Sequence, residues 1–212
     1  MVPPRSAFGA PPGPEGALKG PGGAANGPAQ PDPPPPLEGH SPAASWRQRA
    51  AEIGAKPADG AEGTRLLASL WTGGRLAGAF DAAALERLSR YLHFDRVPAN
   101  RRVIEQDEFG DFMLIVLDGV LAVDRTPSST RLAEARPGDV LGEMALLDHG
   151  PRFSRCTTKT ECLLAVLETD ALARLMAEDA HLALVLVGAL ARRLSLRLRQ
   201  VSARLSALLA DG

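Results

Sequence analysis

Between Phe94 and Leu167 the chain is written as short runs rich in Val, Ile and Leu: RRVIEQ, FMLIVL, GVLAVDR, TRLAEAR and CLLAVLE. Turn-forming residues separate them, at Pro98-Ala99-Asn100, Asp107 to Asp111, Asp118-Gly119, Pro127-Ser128-Ser129 and Pro137-Gly138-Asp139. Short runs of this composition, bounded by Gly, Pro, Asn and Asp, read as strands. A chain of many such strands buries its apolar faces as a β sandwich or a jelly-roll barrel.

Helical periodicity flanks this region. Leu66, Leu67 and Leu70 share one face, and Asp81 is placed to cap a second helix carrying Leu85, Leu88 and Leu92. Helices are therefore expected within 64–93, ahead of a barrel over 94–169, and helix returns over 170–209. The first piece runs from Asp170 to Glu178, and a long helix runs from about Leu182 to Leu209. On the long helix Val187, Leu190, Leu194, Leu198, Val201, Leu205 and Leu208 step by three or four, which makes an apolar stripe of about a hundred degrees. Arg192, Arg193, Arg197, Arg199 and Arg204 fall mostly off it. The first half of the stripe is expected to pack on the barrel. The second half extends beyond it, and an exposed apolar stripe favours a two-fold, coiled-coil-like homodimer. The fold class expected is α+β, mainly β.

Residues 1–60 have a different composition. Pro, Gly and Ala dominate, and few apolar side chains are present to offset the entropy of ordering. This segment reads as a disordered tail, with polyproline character at Pro33–Pro36 and a transient helical turn over Trp46 to Ile53. A linker is the favoured reading of the proline run over a docking site. The folded domain is placed at 61–212.

Charge and cysteine content exclude several classes. A net charge of −1 does not make the basic footprint of a nucleic-acid or anionic-membrane binder. The two cysteines, Cys156 and Cys162, suit neither a disulfide framework nor a zinc site, and a reducing cytoplasm is the expected location. His40, His93, His149 and His181 form no pair at metal-ligand spacing. Asp148-His149 reads as a loop position. No nucleophile and base can be paired from the sequence, so neither an enzyme activity nor a cofactor is expected.

One stretch stands out chemically: GDVLGEMALLDHGPRFSR, residues 138–155. Gly142 permits close backbone approach to a ligand. Glu143 to Leu147 can form one short helical turn, whose leading N–H groups attract an anion. Arg152 offers a planar fork that matches two phosphate oxygens. A carboxylate repels phosphate, so Glu143 makes sense as the acceptor of a hydrogen bond from a sugar hydroxyl. Together these residues describe a pocket for a phosphate joined to a ribose.

The same residues resemble the phosphate-binding cassette of cyclic nucleotide-binding domains, as in the catabolite activator protein family and the regulatory subunits of protein kinase A. The family pattern, roughly G-E-[LM]-A-L-[LI] followed by P-R-[AST]-[AS], is matched by Gly142 to Leu147 and by Pro151-Arg152-Phe153-Ser154. Gly110-Asp111 and Gly119 resemble the family's strand–turn–strand glycines, and Arg136-Pro137-Gly138-Asp139 resembles its turn into the cassette. Ala191-Arg192-Arg193-Leu194 resembles the start of the activator family's long dimer helix. The resemblance covers about residues 81–209. It implies a jelly-roll barrel with N-terminal helices and a long C-terminal helix that closes over the base. It also implies a cyclic nucleotide ligand, foremost cAMP. Arg152 would hold the cyclic phosphate, with backbone N–H groups near Met144, Ala145 and Phe153, and Glu143 would accept from the ribose 2′-hydroxyl.

Two positions depart from the pattern. Phe153 stands where the family has Ala, Ser or Thr, and either stacks on a purine or fills the pocket. Ser154, one position later, is counted among the ligand-binding residues, although neighbouring residues of a strand face opposite sides. Arg197 stands where the activator family has a base-contacting hydroxyl, and either covers the base or points into water. Because the sequence ends at Gly212, no winged helix-turn-helix is expected. Two functions follow: a cyclic nucleotide sensor signalling through its last helix, or a ligand-free interaction module plugged by Phe153.

Overall fold

The computed structural model describes residues 44–73, 79–125 and 130–210. Pro33–Pro36, the rest of 1–43 and the turn Pro127-Ser128-Ser129 lie outside them, as do the side chains of Arg204 and Leu208. The elements in order are α1 (Trp46–Ile53), β1 (Lys56–Pro57), α2 (Gly60–Gly73), α3 (Ala82–Ser89), β2 (His93–Val97), β3 (Arg102–Ile104), β4 (Phe112–Asp118), β5 (Leu121–Arg125), β6 (Thr130–Ala135), β7 (Val140–Leu141), α4 (Glu143–Asp148), β8 (Arg155–Thr158), β9 (Cys162–Glu168), α5 (Thr169–Glu178) and α6 (Ala180–Ala210).

The strands form two antiparallel sheets, ordered β1-β2-β9-β4-β7 and β3-β8-β5-β6. Strands β4 and β9 lie side by side at the centre of the first sheet, with Leu114 opposite Val166 and Ile115 opposite Ala165. Their continuous apolar runs have a direct cause. Met113, Ile115, Leu163, Ala165 and Leu167 face a core shared with the helices. Phe112, Leu114, Val116, Cys162, Leu164 and Val166 face the barrel interior. Both faces are covered, so no polar alternation is needed. The outer core is closed by Leu67 and Trp71 of α2, Leu85 and Leu88 of α3, Leu172 and Leu175 of α5, and Leu182, Leu186 and Leu190 of α6.

The fold class is the one expected, α+β, an antiparallel β barrel with helices at both ends, although more of the described residues lie in helices than in strands. Asp81 caps α3 as anticipated, accepting from Ala84 N at 2.6 Å. The long helix begins at Ala180, where the Asp179 carboxylate accepts from Leu182 N at 3.0 Å. The division at residue 60 needs correction. Residues 44–57 form no part of a disordered tail: α1 is a formed helix, capped by Ser45, which accepts from Gln48 N, and Trp46 and Ile53 are buried in the barrel core. Composition averaged over sixty residues hid the few side chains that dock this segment. One is Trp46, whose indole Nε1 donates to Asp95 Oδ2 at 2.7 Å.

Candidate functional site

Strand β7 ends at Leu141, and Gly142 is the N-cap of α4, which begins at Glu143. Gly142 has φ +78°, and a Cβ on it would lie 2.5 Å from Arg152 Nη1 and 3.3 Å from the Phe112 carbonyl. Conformation and space both require glycine there. The first bond closing α4 runs from Leu146 N to Gly142 O at 3.3 Å. The N–H groups of Glu143, Met144 and Ala145 precede it and have no acceptor within the helix.

Arg152 is not an exposed arginine; it is 2% accessible. Its Nη1 donates to Gly142 O at 2.9 Å and its Nη2 to Phe112 O at 2.6 Å. The guanidinium lies 4.6 Å from the centre of the Phe112 ring. Its main chain is held too, with Arg152 N donating to Glu108 O at 2.8 Å and Asp107 N donating to Arg152 O at 2.9 Å. Burial lowers the pKa of the guanidinium, with Glu108 the largest opposing influence, yet an arginine remains a cation. Its buried Nε has no hydrogen-bond partner among the described residues. A positive group fixed by neutral carbonyls, with a donor left over, suits an anion.

Glu143 is likewise buried, at 3% accessibility. Across from it, Arg197 of α6 places Nη1 3.9 Å from Glu143 Oε1, while half of its own side chain stays exposed. Of the two sequence-based alternatives for Arg197, the structure supports neither in full, since it faces the cassette carboxylate from the solvent side.

These groups line an open cavity of about 560 Å³. Gly142, Glu143, Met144, Ala145, Arg152, Phe153, Ser154 and Arg197 all border it. Phe153 lines the cavity and does not fill it: it is 52% exposed. Arg125 of β5 stacks over its ring at 4.0 Å from the centroid and donates from Nη1 to its carbonyl at 3.2 Å. Ser154 joins Phe153 at the site. It borders the same cavity as Phe153, because both precede β8, where strand alternation has not begun. Asp148 and His149 end the α4 turn: Asp148 Oδ1 accepts from Gly150 N at 2.9 Å, and His149 N donates to Ala145 O at 3.0 Å.

Several lining residues carried no sign in the sequence of a place at the site. Ile104, Val123, Leu141 and Cys156 come from the barrel, and Leu194, Ser195, Leu198 and Val201 from α6. The Cys156 thiol is pushed up to about 12 by burial, only partly offset by its hydrogen bond with Ser154, so it is no nucleophile. Among the described residues no group of three or more His, Cys, Asp or Glu could hold a metal ion. No described helix is long and apolar enough to cross a membrane.

Comparison with known proteins agrees with this geometry. Residues 94–179 match the family model of the cyclic nucleotide-binding domain. The chain is 32% identical over 124 residues to a CRP-like cAMP-activated global transcriptional regulator of Mycobacterium tuberculosis (strain CDC 1551 / Oshkosh), covering 56% of this chain and 55% of that protein. It therefore spans about half the length of that relative. Among solved structures it is similar to a cyclic nucleotide-binding domain from Methylobacillus flagellatus KT, with TM-score 0.64 and 25% identity over 71% of this chain and 86% of that one. It is also similar to the catabolite activator protein of Thermus thermophilus, with TM-score 0.55 and 25% identity over 66% of this chain and 62% of that one.

Proposed function

We propose, on the premise that residues 94–179 belong to the cyclic nucleotide-binding domain family, that this chain is a regulatory sensor of a cyclic purine mononucleotide, with cAMP as its ligand. One observation carries the reading. The cassette residues converge on a single open cavity, with the cationic side chain of Arg152 buried in its wall and held by backbone carbonyls. Arg152 and the leading N–H groups of α4 receive the cyclic phosphate, and Glu143 accepts from the ribose 2′-hydroxyl. Phe153, backed by Arg125, offers a ring face to the base, while Arg197 and Ser195 close the cavity from α6. A cAMP-activated regulator among the relatives supports this choice of ligand.

Signalling is assigned to α6. Its first half is built into the core through Leu182, Leu186 and Leu190, while Leu198, Val201, Leu205 and Leu209 are exposed. Leu198 and Val201 also border the cavity. Ligand contacts that differ between two positions of α6 would shift their populations. The exposed stripe would then present this change to a second copy of the chain or to an output protein in the cytoplasm. No reaction is assigned to the site.

The alternative, a ligand-free module plugged by Phe153, loses its main support because that ring lines the cavity and stays half exposed rather than filling it. Thermal unfolding with cAMP, cGMP and cyclic di-GMP separates the two. A sensor gains about 2.7 kcal/mol at a ligand concentration of a hundred times Kd. An unchanged midpoint with all three nucleotides would favour the module.

A further inference from the structure

The segment that opens the described chain, residues 44–57, lies against the loop that carries the back of the arginine site. Three separate contacts connect them. The first runs through aromatic rings. Trp46 meets Phe112 edge-on with centroids 5.3 Å apart, and Phe112 also holds the Arg152 guanidinium, by its ring and by its carbonyl.

The second is backbone pairing. Ala44 N donates to Phe109 O at 2.8 Å, and Ala44 forms a parallel bridge with Gly110. Gly110 presses on the arginine so closely that a Cβ there would lie 2.5 Å from Arg152 Nη2. The third is ionic. Arg49 of α1 pairs with the Glu108 carboxylate. That carboxylate also accepts from Glu105 N at 3.0 Å, while the Glu108 carbonyl accepts from Arg152 N. None of these strap residues borders the cavity.

We infer that residues 44–57 are a positioning strap for Arg152: Trp46 and Arg49, acting through Phe112 and Glu108, hold the guanidinium where a ligand phosphate meets it, so strap docking and nucleotide binding favour one another. This rests on the nucleotide-sensor reading for its ligand. Coupling of this kind is reciprocal, since an equilibrium biased by one partner is biased equally by the other. It gives the N-terminal segment a route to the pocket through Phe112 and Glu108, independent of α6.

Arg49 is the residue to test, because it makes the ionic contact to Glu108 and takes no part in the Trp46–Phe112 ring contact. The full chain is titrated calorimetrically with cAMP as wild type, Arg49→Met and Arg49→Lys, and the urea midpoint of each is measured. Arg49→Met is expected to weaken cAMP by about 2- to 30-fold in molecules that remain folded, and Arg49→Lys to recover most of the loss. A purely structural role would lower the midpoint and leave the affinity of the folded molecules unchanged, which overturns the inference, as does tighter binding. A ligand-free measurement keeps the two readings apart. In a cycle of Arg49→Met and Arg152→Met, the losses in urea stability are expected not to add. Additive losses refute the strap even if cAMP binds, whereas a coupled cycle without cAMP binding refutes only the sensor reading.

Discussion

Gly142→Ala is the substitution whose effect the structure fixes most closely. Two costs act at this position. The residue sits at φ +78°, where an L side chain is strained by about 1–2 kcal/mol. The new methyl would also lie 2.5 Å from Arg152 Nη1 and 3.2 Å from Ile104 Cδ1. A flexible arginine could normally give way, but this one is buried and held by the carbonyls of Gly142 and Phe112. Overpacking of that kind costs about 1–3 kcal/mol, so the total loss is about 2–5 kcal/mol. Gly138 supplies the control, since it has φ +90° and nothing within 4 Å of a Cβ. Gly138→Ala therefore carries only the backbone cost, about 1–2 kcal/mol. Urea unfolding of both variants measures the difference. A Gly142→Ala loss no larger than that of Gly138→Ala would refute the close packing of guanidinium and cassette backbone.

Other consequences can be checked alongside. Glu143→Gln is expected to weaken cAMP by about 1–2 kcal/mol, the scale of a hydrogen bond to a charged acceptor. Binding of 2′-deoxy-cAMP should hardly change, and equal losses for both ligands in a titration would remove Glu143 from the ribose. Cys156, raised from 9.0 to about 12 by burial, stabilises the fold as a neutral thiol. Its contribution is complete below about pH 9 and is lost as pH rises toward 12. The alkaline decline in urea stability should accordingly be shallower in Cys156→Ala. On α6, Leu205→Asp with Leu209→Asp should convert a dimer to a monomer in light scattering, because both side chains are exposed on the free half of the helix. An oligomeric state indifferent to both charges would place any interface elsewhere.

Much of this architecture was legible before any coordinates. The runs FMLIVL and CLLAVLE read as strands because their apolar composition sits between turn residues, and burial on both faces explains why they lack alternation. The cassette was legible because its chemistry is local: a glycine, a carboxylate, a helical turn and an arginine fall within a few residues of one another. What could not be read depends on distant pairs. Arg125 and Phe153 meet where β5 runs beside the start of β8, and whether a phenylalanine plugs or rims a cavity depends on such a partner. Ser195 and Val123 border the site through the packing of α6 and the curvature of β5, neither of which leaves a motif. Trp46 was obscured by its neighbours, since a Pro-, Gly- and Ala-rich context carries no hint of the Asp95 carboxylate and the Phe112 ring that receive it.

The central claim is that Arg152 holds a cyclic nucleotide phosphate in this cavity. Calorimetric titration of the full chain with cAMP, compared with Arg152→Ala, tests it most directly. The account predicts saturable binding by the wild type and a loss of about 2–4 kcal/mol in the variant, the scale of a charge-assisted contact together with the donors it organises. Equal affinity in both proteins, or no binding of cAMP by the folded wild type, would contradict it.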